Sequence, residues 1–236
     1  MLEIKNISKS FQEKKAVDNI SFSVKSGTFL GVIGQNGAGK STTIKMIMGD
    51  LIPDSGEIKF NKKNIDIDNY KFRGEIFYIP QKPIYYDYLT AKEYIEWIAN
   101  IYKIKDYSQK MNSLFEKFEI TNDKNRLLVE FSEGMIKKTV LIAALISNAK
   151  IFILDEVFAG LDPVAVYYFK QLLKEVVKEG KTILFVSHIL ESVEKLCDNI
   201  IMMKNGKIIE YLDNNRVKEV VKEYSTLEEY YIKSLK

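Results

Sequence analysis

Gly34-Gln35-Asn36-Gly37-Ala38-Gly39-Lys40-Ser41 is the stretch that decides how the rest of this chain is read. Its spacing is G-x-x-x-x-G-K-[ST]. The apolar, strand-like run Phe29–Ile33 leads into it and the helical run Lys40–Met48 leads out. Glycine takes left-handed dihedrals freely, so the backbone N–H groups of such a loop can turn inward and surround a phosphate. The N-terminus of the following helix adds partial positive charge toward the same anion. Lys40 is predicted to reach the β- and γ-phosphates of a nucleotide, and Ser41 to ligate Mg²⁺. A glycine-rich turn with an incidental surface lysine would not need both the strand and the helix.

Alone, that loop specifies only a P-loop NTPase. A second site narrows the reading. Ile151-Phe152-Ile153-Leu154-Asp155-Glu156 is an apolar strand that ends in two carboxylates. Open α/β sheets deliver ligand-binding groups at the C-terminal ends of their strands. Asp155 is predicted to hold Mg²⁺, directly or through water, and Glu156 is the candidate base that orients an attacking water.

Working outward, short strand-like runs alternate with longer helical ones, which favours an α/β fold. Leu2–Ile7, Ala16–Val24, Glu57–Phe60 and Ile76–Ile79 read as strands. Ile151–Leu154, Ile183–Val186 and Asn199–Met203 are apolar on both faces, as strands buried between helices are. From Asp87 to Ser147 helical periodicity takes over. Thr90 and Glu93 form a capping-box pair, and Tyr94, Ile95, Ile98, Ile101 and Tyr102 then share one helical face. Met111, Leu114, Phe115 and Phe118 repeat the pattern, so this segment is predicted to be a helical lobe inserted into the α/β core. A further helix is punctuated by Asp162 as N-cap, Pro163 at its first position and Gly180 beyond its end.

The bulk properties bound the function. A chain of 236 residues fits one large domain or one domain in two lobes, and a 46% hydrophobic content supplies a real core. The formal charge of +3 gives no sign of a nucleic-acid partner, and the arginines are only Arg73, Arg126 and Arg216. Cys197 is the sole cysteine, so no intrachain disulfide forms, in keeping with a reducing compartment. Met1–Ser10 carries Glu3, Lys5 and Lys9 and is not expected to be a leader peptide. The longest apolar runs, such as Val140–Ile146, fall short of the ~20 residues that span a bilayer. Any work on a membrane is therefore expected to pass through a partner.

In their order, these motifs resemble the nucleotide-binding domain of ATP-binding-cassette (ABC) transporters, in an exporter-like single-cassette form, over residues 1–210. The resemblance implies a RecA-like P-loop NTPase core (1–81 and 148–210) with an N-terminal antiparallel β subdomain, an inserted α-helical subdomain (82–147) and a C-terminal helical tail (211–236). It implies that Phe11 stacks on adenine and that Gly34, Gln35, Asn36, Gly37, Ala38, Gly39, Lys40, Ser41 and Thr42 hold the phosphates. Gln81, in Ile79-Pro80-Gln81, resembles the Q-loop glutamine that touches Mg²⁺ and water and senses the transmembrane partner. Phe131-Ser132-Glu133-Gly134-Met135 resembles the family signature, usually Leu-Ser-Gly-Gly-Gln. Ser132 and Gly134 are kept and would face the γ-phosphate bound by a second subunit. Glu133 and Met135 depart from the usual pattern, and Glu133 brings a negative charge near a phosphate. Ser-x-Gly-Met variants occur among exporter-type members. Ala159-Gly160-Leu161-Asp162-Pro163 resembles the D-loop at the dimer interface, which carries Asp162 toward the nucleotide, and Val157 stands where a proline often follows the glutamate. In Phe185-Val186-Ser187-His188, the lone histidine would contact the γ-phosphate and organise Glu156 and water.

By the same resemblance the chain is expected to be an ATPase subunit with ATP and Mg²⁺, paired with an identical or related cassette around two nucleotides. It would drive solute translocation, with export expected, through separate transmembrane permease subunits. It would be soluble when isolated and sit peripherally on the cytoplasmic face of the membrane. The aromatic-rich stretch Pro83, Ile84, Tyr85, Tyr86 and Tyr88 is the expected partner surface. The alternative is a non-transport ABC ATPase of the translation or DNA-repair type. The first usually fuses two cassettes through a basic linker and the second carries a long coiled-coil insertion. A free-standing nucleotide kinase would not be expected to carry the signature, D-loop and histidine together.

Overall fold

Strand β8, Thr182–Val186, is buried along its whole length, so both of its faces must meet apolar partners. Ile183 and Phe185 enter one hydrophobic cluster while Leu184 and Val186 enter another, the period-two alternation of a strand between two layers. The computed structural model describes residues 1–65, 72 and 74–234; Arg73 lies outside them. Among the described residues β8 sits inside a six-stranded sheet of order β10-β9-β3-β8-β7-β6. Here β3 is Phe29–Gly34, β6 Ile76–Ile79, β7 Ile151–Asp155, β9 Asn199–Lys204 and β10 Lys207–Leu212. Neighbours pair in parallel except for β10, which returns antiparallel along β9.

The second sheet is antiparallel, of order β2-β1-β4-β5, built from β1 (Leu2–Phe11), β2 (Lys14–Val24), β4 (Ser55–Phe60) and β5 (Lys63–Asn64). Strand β1 continues past Ile7 to Phe11. Register shifts, with Asn6 and Asn19 at φ 50° and 52°, break its alternation, so the periodicity stops short of the strand. Helix α1, Lys40–Ile47, lies between the two sheets, with Ile44, Met46 and Ile47 packed among Leu2, Ile4, Leu30 and Val186.

The other face of the large sheet carries the helical lobe: α2 (Ala91–Ile101), α3 (Ser108–Lys117) and α4 (Glu133–Ser147). The capping box forms, with the Glu93 backbone N–H donating to Thr90 Oγ1 (3.2 Å) and the Thr90 N–H to Glu93 Oε2 (2.8 Å). Tyr94, Ile95 and Ile98 are buried as the periodicity predicts, but Ile101 is exposed because α2 ends there. Helix α4 is buried almost all round and joins the lobe to the sheet. Helix α5 (Pro163–Lys178) begins at Asp162, and α6 (Leu190–Leu196) follows β8. After β10, α7 (Asn214–Tyr224) and α8 (Leu227–Ser234) close onto the same cluster through Val217, Val220 and Leu227. Among the described residues no helix is long and apolar enough to cross a membrane.

Candidate nucleotide site

The phosphate loop joins β3 to α1, and its glycines are required by close backbone packing. A Cβ on Gly34 would come 2.5 Å from the Met203 carbonyl, and one on Gly39, at φ +102°, 2.6 Å from that of Ala16. The β9–β10 turn supports the loop from beneath: the Gly206 N–H donates to Ala38 O (3.0 Å), and the Asp18 N–H to Gly206 O (2.8 Å). The turn itself, Asn205-Gly206 with φ 50° and 77°, is the two-residue type that closes hairpins. Gly39 has no side chain to cap α1, so the first-turn N–H groups stay available to an anion.

Lys40 folds its ammonium across the loop and donates to Gly34 O (2.7 Å) and Gln35 O (3.0 Å). These are the bonds a phosphate would replace. Burial pulls the Lys40 ammonium below the ordinary lysine range, against the opposing charges of Glu156 and Asp155. Burial and the neighbouring Glu156 raise the Asp155 carboxyl, while Lys40 and Tyr78 work the other way. Phe11, Lys14 and Ala16 border a cleft of about 260 Å³ together with Gly37, Gly39, Lys40, Ser41 and Thr42. Phe11 is half exposed where it lines that cleft.

The acidic pair sits at the C-terminal edge of the large sheet. Glu156 takes φ +52°, a left-handed conformation that costs a non-glycine residue of order 1 kcal/mol. This bend turns the chain off β7 and points the side chain toward the end of β8. There the Glu156 carboxylate accepts from the His188 backbone N–H (2.8 Å) and the Ser187 hydroxyl (3.3 Å), and its Oε1 lies 2.7 Å from His188 Nδ1. The Glu156 side chain is 11% exposed and that of His188 71%, so the carboxylate is held inside with the imidazole over it, facing solvent. Tyr78, from β6, lies with its hydroxyl 3.5 Å from Asp155 Oδ2. Gln81 is exposed just past β6, whose register sets Ile79 beside Leu154, so it follows the sheet edge next to the acidic pair.

Ser132, Gly134 and Asp162 form a second group, where α4 and the D-loop meet. Ser132 caps α4 by accepting from the Met135 N–H (3.3 Å), so the helix starts at Glu133, inside the signature stretch. Glu133 points outward, 75% exposed, and pairs with Lys137 at 2.9 Å. Asp162 caps α5 through the Ala165 N–H (2.8 Å) and pairs with Lys138 (2.7 Å), so its carboxylate is engaged inside its own chain. Sequence reasoning passed over Ser187 as a partner of Glu156, and the Asn-Gly hairpin under the phosphate loop. The first carried no signal of its own; the second did, in the dipeptide.

The donors near the loop are oxygens: the Ser41 hydroxyl, the Asp155 carboxylate and the Gln81 amide. That set fits Mg²⁺, which takes one or two carboxylates plus phosphate oxygens and waters rather than an all-protein cage. Comparison with known proteins gives the family. The family model described as ABC transporter matches residues 17–159. The chain is 32% identical over 210 residues to the ABC-type transporter ATP-binding protein EcsA of Bacillus subtilis, covering 88% of this chain and 85% of that one. Among solved structures, an ATP-binding subunit of an ABC transporter superposes with TM-score 0.92 at 29% identity over 100% of both chains. The dimeric post-hydrolysis form of the cassette MJ0796, bound to ADP and phosphate, superposes with TM-score 0.80 at 25% identity, covering 91% of this chain and 99% of that one. The chain belongs to the ABC transporter family, as an ATP-binding, ATP-hydrolysing cassette that works with Mg²⁺ and couples hydrolysis to transport.

Proposed function

We propose that Glu156 is the residue that orients the attacking water and that His188 fixes its carboxylate while reaching toward the γ-phosphate. The observation that carries this is the enclosed Glu156 carboxylate, bonded to both Ser187 and His188 at the sheet edge and facing the charge of Lys40 at the start of α1. Gly34–Thr42 cradle the phosphates, Lys40 neutralises the β- and γ-oxygens, and Phe11 stacks on the base. Ser41, Asp155 and Gln81 hold Mg²⁺, which when bound neutralises charge that develops on the phosphate oxygens. Ser132 and Gly134 serve the nucleotide of a second cassette, with Asp162 fixing the D-loop alongside. The γ-phosphate then favours the closed dimer, and its loss on hydrolysis releases it. Phe11→Ala is expected to raise the KM for ATP about fivefold with kcat kept, as loss of one base–aromatic stack predicts. An unchanged KM in steady-state phosphate release would remove Phe11 from the site.

The cassette docks on a membrane permease subunit at the cytoplasmic face through the surface around Ile84, Tyr86 and Tyr88. Ile84 is 80% exposed and Tyr88 84%, and Tyr86 packs edge-on against the half-exposed Trp97. Tyr85 is partly buried: it packs against the lobe core and lines the same depression as Tyr86, Tyr88 and Trp97. Aromatic side chains left exposed together suit a partner interface. Tyr86→Ala with Tyr88→Ala should weaken co-purification with the membrane subunit at least about tenfold while ATP affinity holds. Unchanged complex formation would contradict the assignment. Export is the favoured direction, from the Ser132-x-Gly134-Met135 form of the signature. ATP-driven uptake of the solute into inside-out vesicles tests it, and uptake confined to right-side-out vesicles would reverse it.

A further inference from the structure

Lys137 is a charged residue in an unusual place. It lies one turn into α4, its side chain is 5% exposed, and its ammonium is 2.9 Å from Glu133 Oε1. The same ammonium donates to the Ala159 carbonyl in the D-loop. A buried ammonium is costly unless its donors are engaged, and here the two partners come from different segments. Gly160 lies against the pair: a Cβ there would stand 3.4 Å from Lys137 Nζ and 3.6 Å from Glu133 Oε1. Gly134 approaches from the other side, its Cβ position 3.0 Å from the Gly160 carbonyl. The signature turn and the D-loop are therefore packed backbone to backbone with Lys137 between them.

Ala159 has a second bond. Its N–H donates to the Glu156 carbonyl at 3.3 Å. A continuous series of contacts thus runs from the Ser132–Gly134 turn through Lys137 to Ala159 and on to Glu156. Resting on the roles given above, this series joins the half-site that a chain lends to its partner with the half-site that it keeps. We infer that Lys137 is a positioning residue that couples them. It fixes the D-loop against the signature helix, and it draws the Glu133 charge away from the helix N-terminus, where a phosphate has to sit. Glu133 and Lys137 then act as one neutral unit, and the departure at Glu133 is matched by the buried lysine one turn later.

Lys137→Met keeps the stem and removes the charge. In steady-state ATP hydrolysis by the full chain it should lower kcat by about ten- to a hundredfold, the size of one charge-assisted hydrogen bond. Binding of a fluorescent ATP analogue to the cradle should stay within about twofold. Glu133→Gln alone should change kcat by no more than about threefold, because Lys137 keeps its bond to Ala159. Lys137→Gln leaves Glu133 unpaired at the signature, and Glu133→Gln/Lys137→Gln should recover the share of the loss that this charge causes while the share from the lost ammonium bond to Ala159 remains, as coupled residues do in a double-mutant cycle. A purely structural lysine would give additive losses that follow the melting temperature. The inference is overturned if Lys137→Met hydrolyses ATP like the unmodified chain, or if the double variant is no better than Lys137→Gln. Should Lys137→Met not fold, Lys137→Gln and the double variant decide alone. Ser132→Arg is the control for the underlying reading: full hydrolysis by that variant would overturn the role of the signature itself.

Discussion

Glu156→Gln is expected to lower ATP turnover by about a thousandfold while ATP affinity holds, the scale of a lost general base. The substitution is isosteric. The new amide oxygen, in place of Oε1, accepts from the His188 N–H, now 2.8 Å from it, and the amide NH2, in place of Oε2, can donate to the Ser187 hydroxyl oxygen, so the left-handed bend at φ +52° has no reason to relax. What disappears is the negative charge that orients and polarises water. Phosphate release measured in single turnover separates this from slow product release. A loss of only a few fold would mean that the carboxylate is structural and that His188 or another group orients the water.

Lys40→Ala is expected to weaken ATP binding by about a hundredfold or more, the worth of two charge-assisted bonds. Lys40 balances Asp155 and Glu156 in a partly buried site, and its amine is already committed to the loop carbonyls that a phosphate would displace. Without it, Asp155 and Glu156 face a polyanion with the Lys40 charge that opposes them removed. The fold should survive, because Lys40 sits at the start of α1 while Ile44, Met46 and Ile47 anchor the helix. Calorimetric titration with ATP and Mg²⁺ checks the affinity, and thermal melting checks the fold. Tight binding by Lys40→Ala would refute the cradle.

Most of the site was legible because each motif is tied to a local element. The glycine loop needs a strand before it and a helix after it, and β3 and α1 supply them. Two carboxylates after an apolar run mark the end of a parallel strand, and β7 is one. The capping residues Thr90 and Asp162 each accept the expected backbone N–H. Features set by tertiary contact were not legible. The bend at Glu156 leaves no trace in a sequence without glycine there. The outward turn of Glu133 depends on a lysine whose burial comes from the D-loop packed over it. Strand β10 does not stand out because its polarity does not alternate with burial: Ile209 and Tyr211 are exposed with Lys207, while Glu210 lies on the more covered side with Ile208 and Leu212. Only the Asn205-Gly206 pair announced it.

Two cassettes around two nucleotides are the arrangement expected of a chain whose signature turn and phosphate loop form separate groups. The likeness to transporter ATP-binding proteins, and to a dimeric cassette holding ADP and phosphate, favours this over translation or DNA-repair ATPases. The most direct test is the solution mass of Glu156→Gln with and without ATP and Mg²⁺. The expected result is a monomer that becomes a dimer only when ATP and Mg²⁺ are added. A chain that binds ATP and stays monomeric at every concentration would contradict the shared site between two copies of this chain.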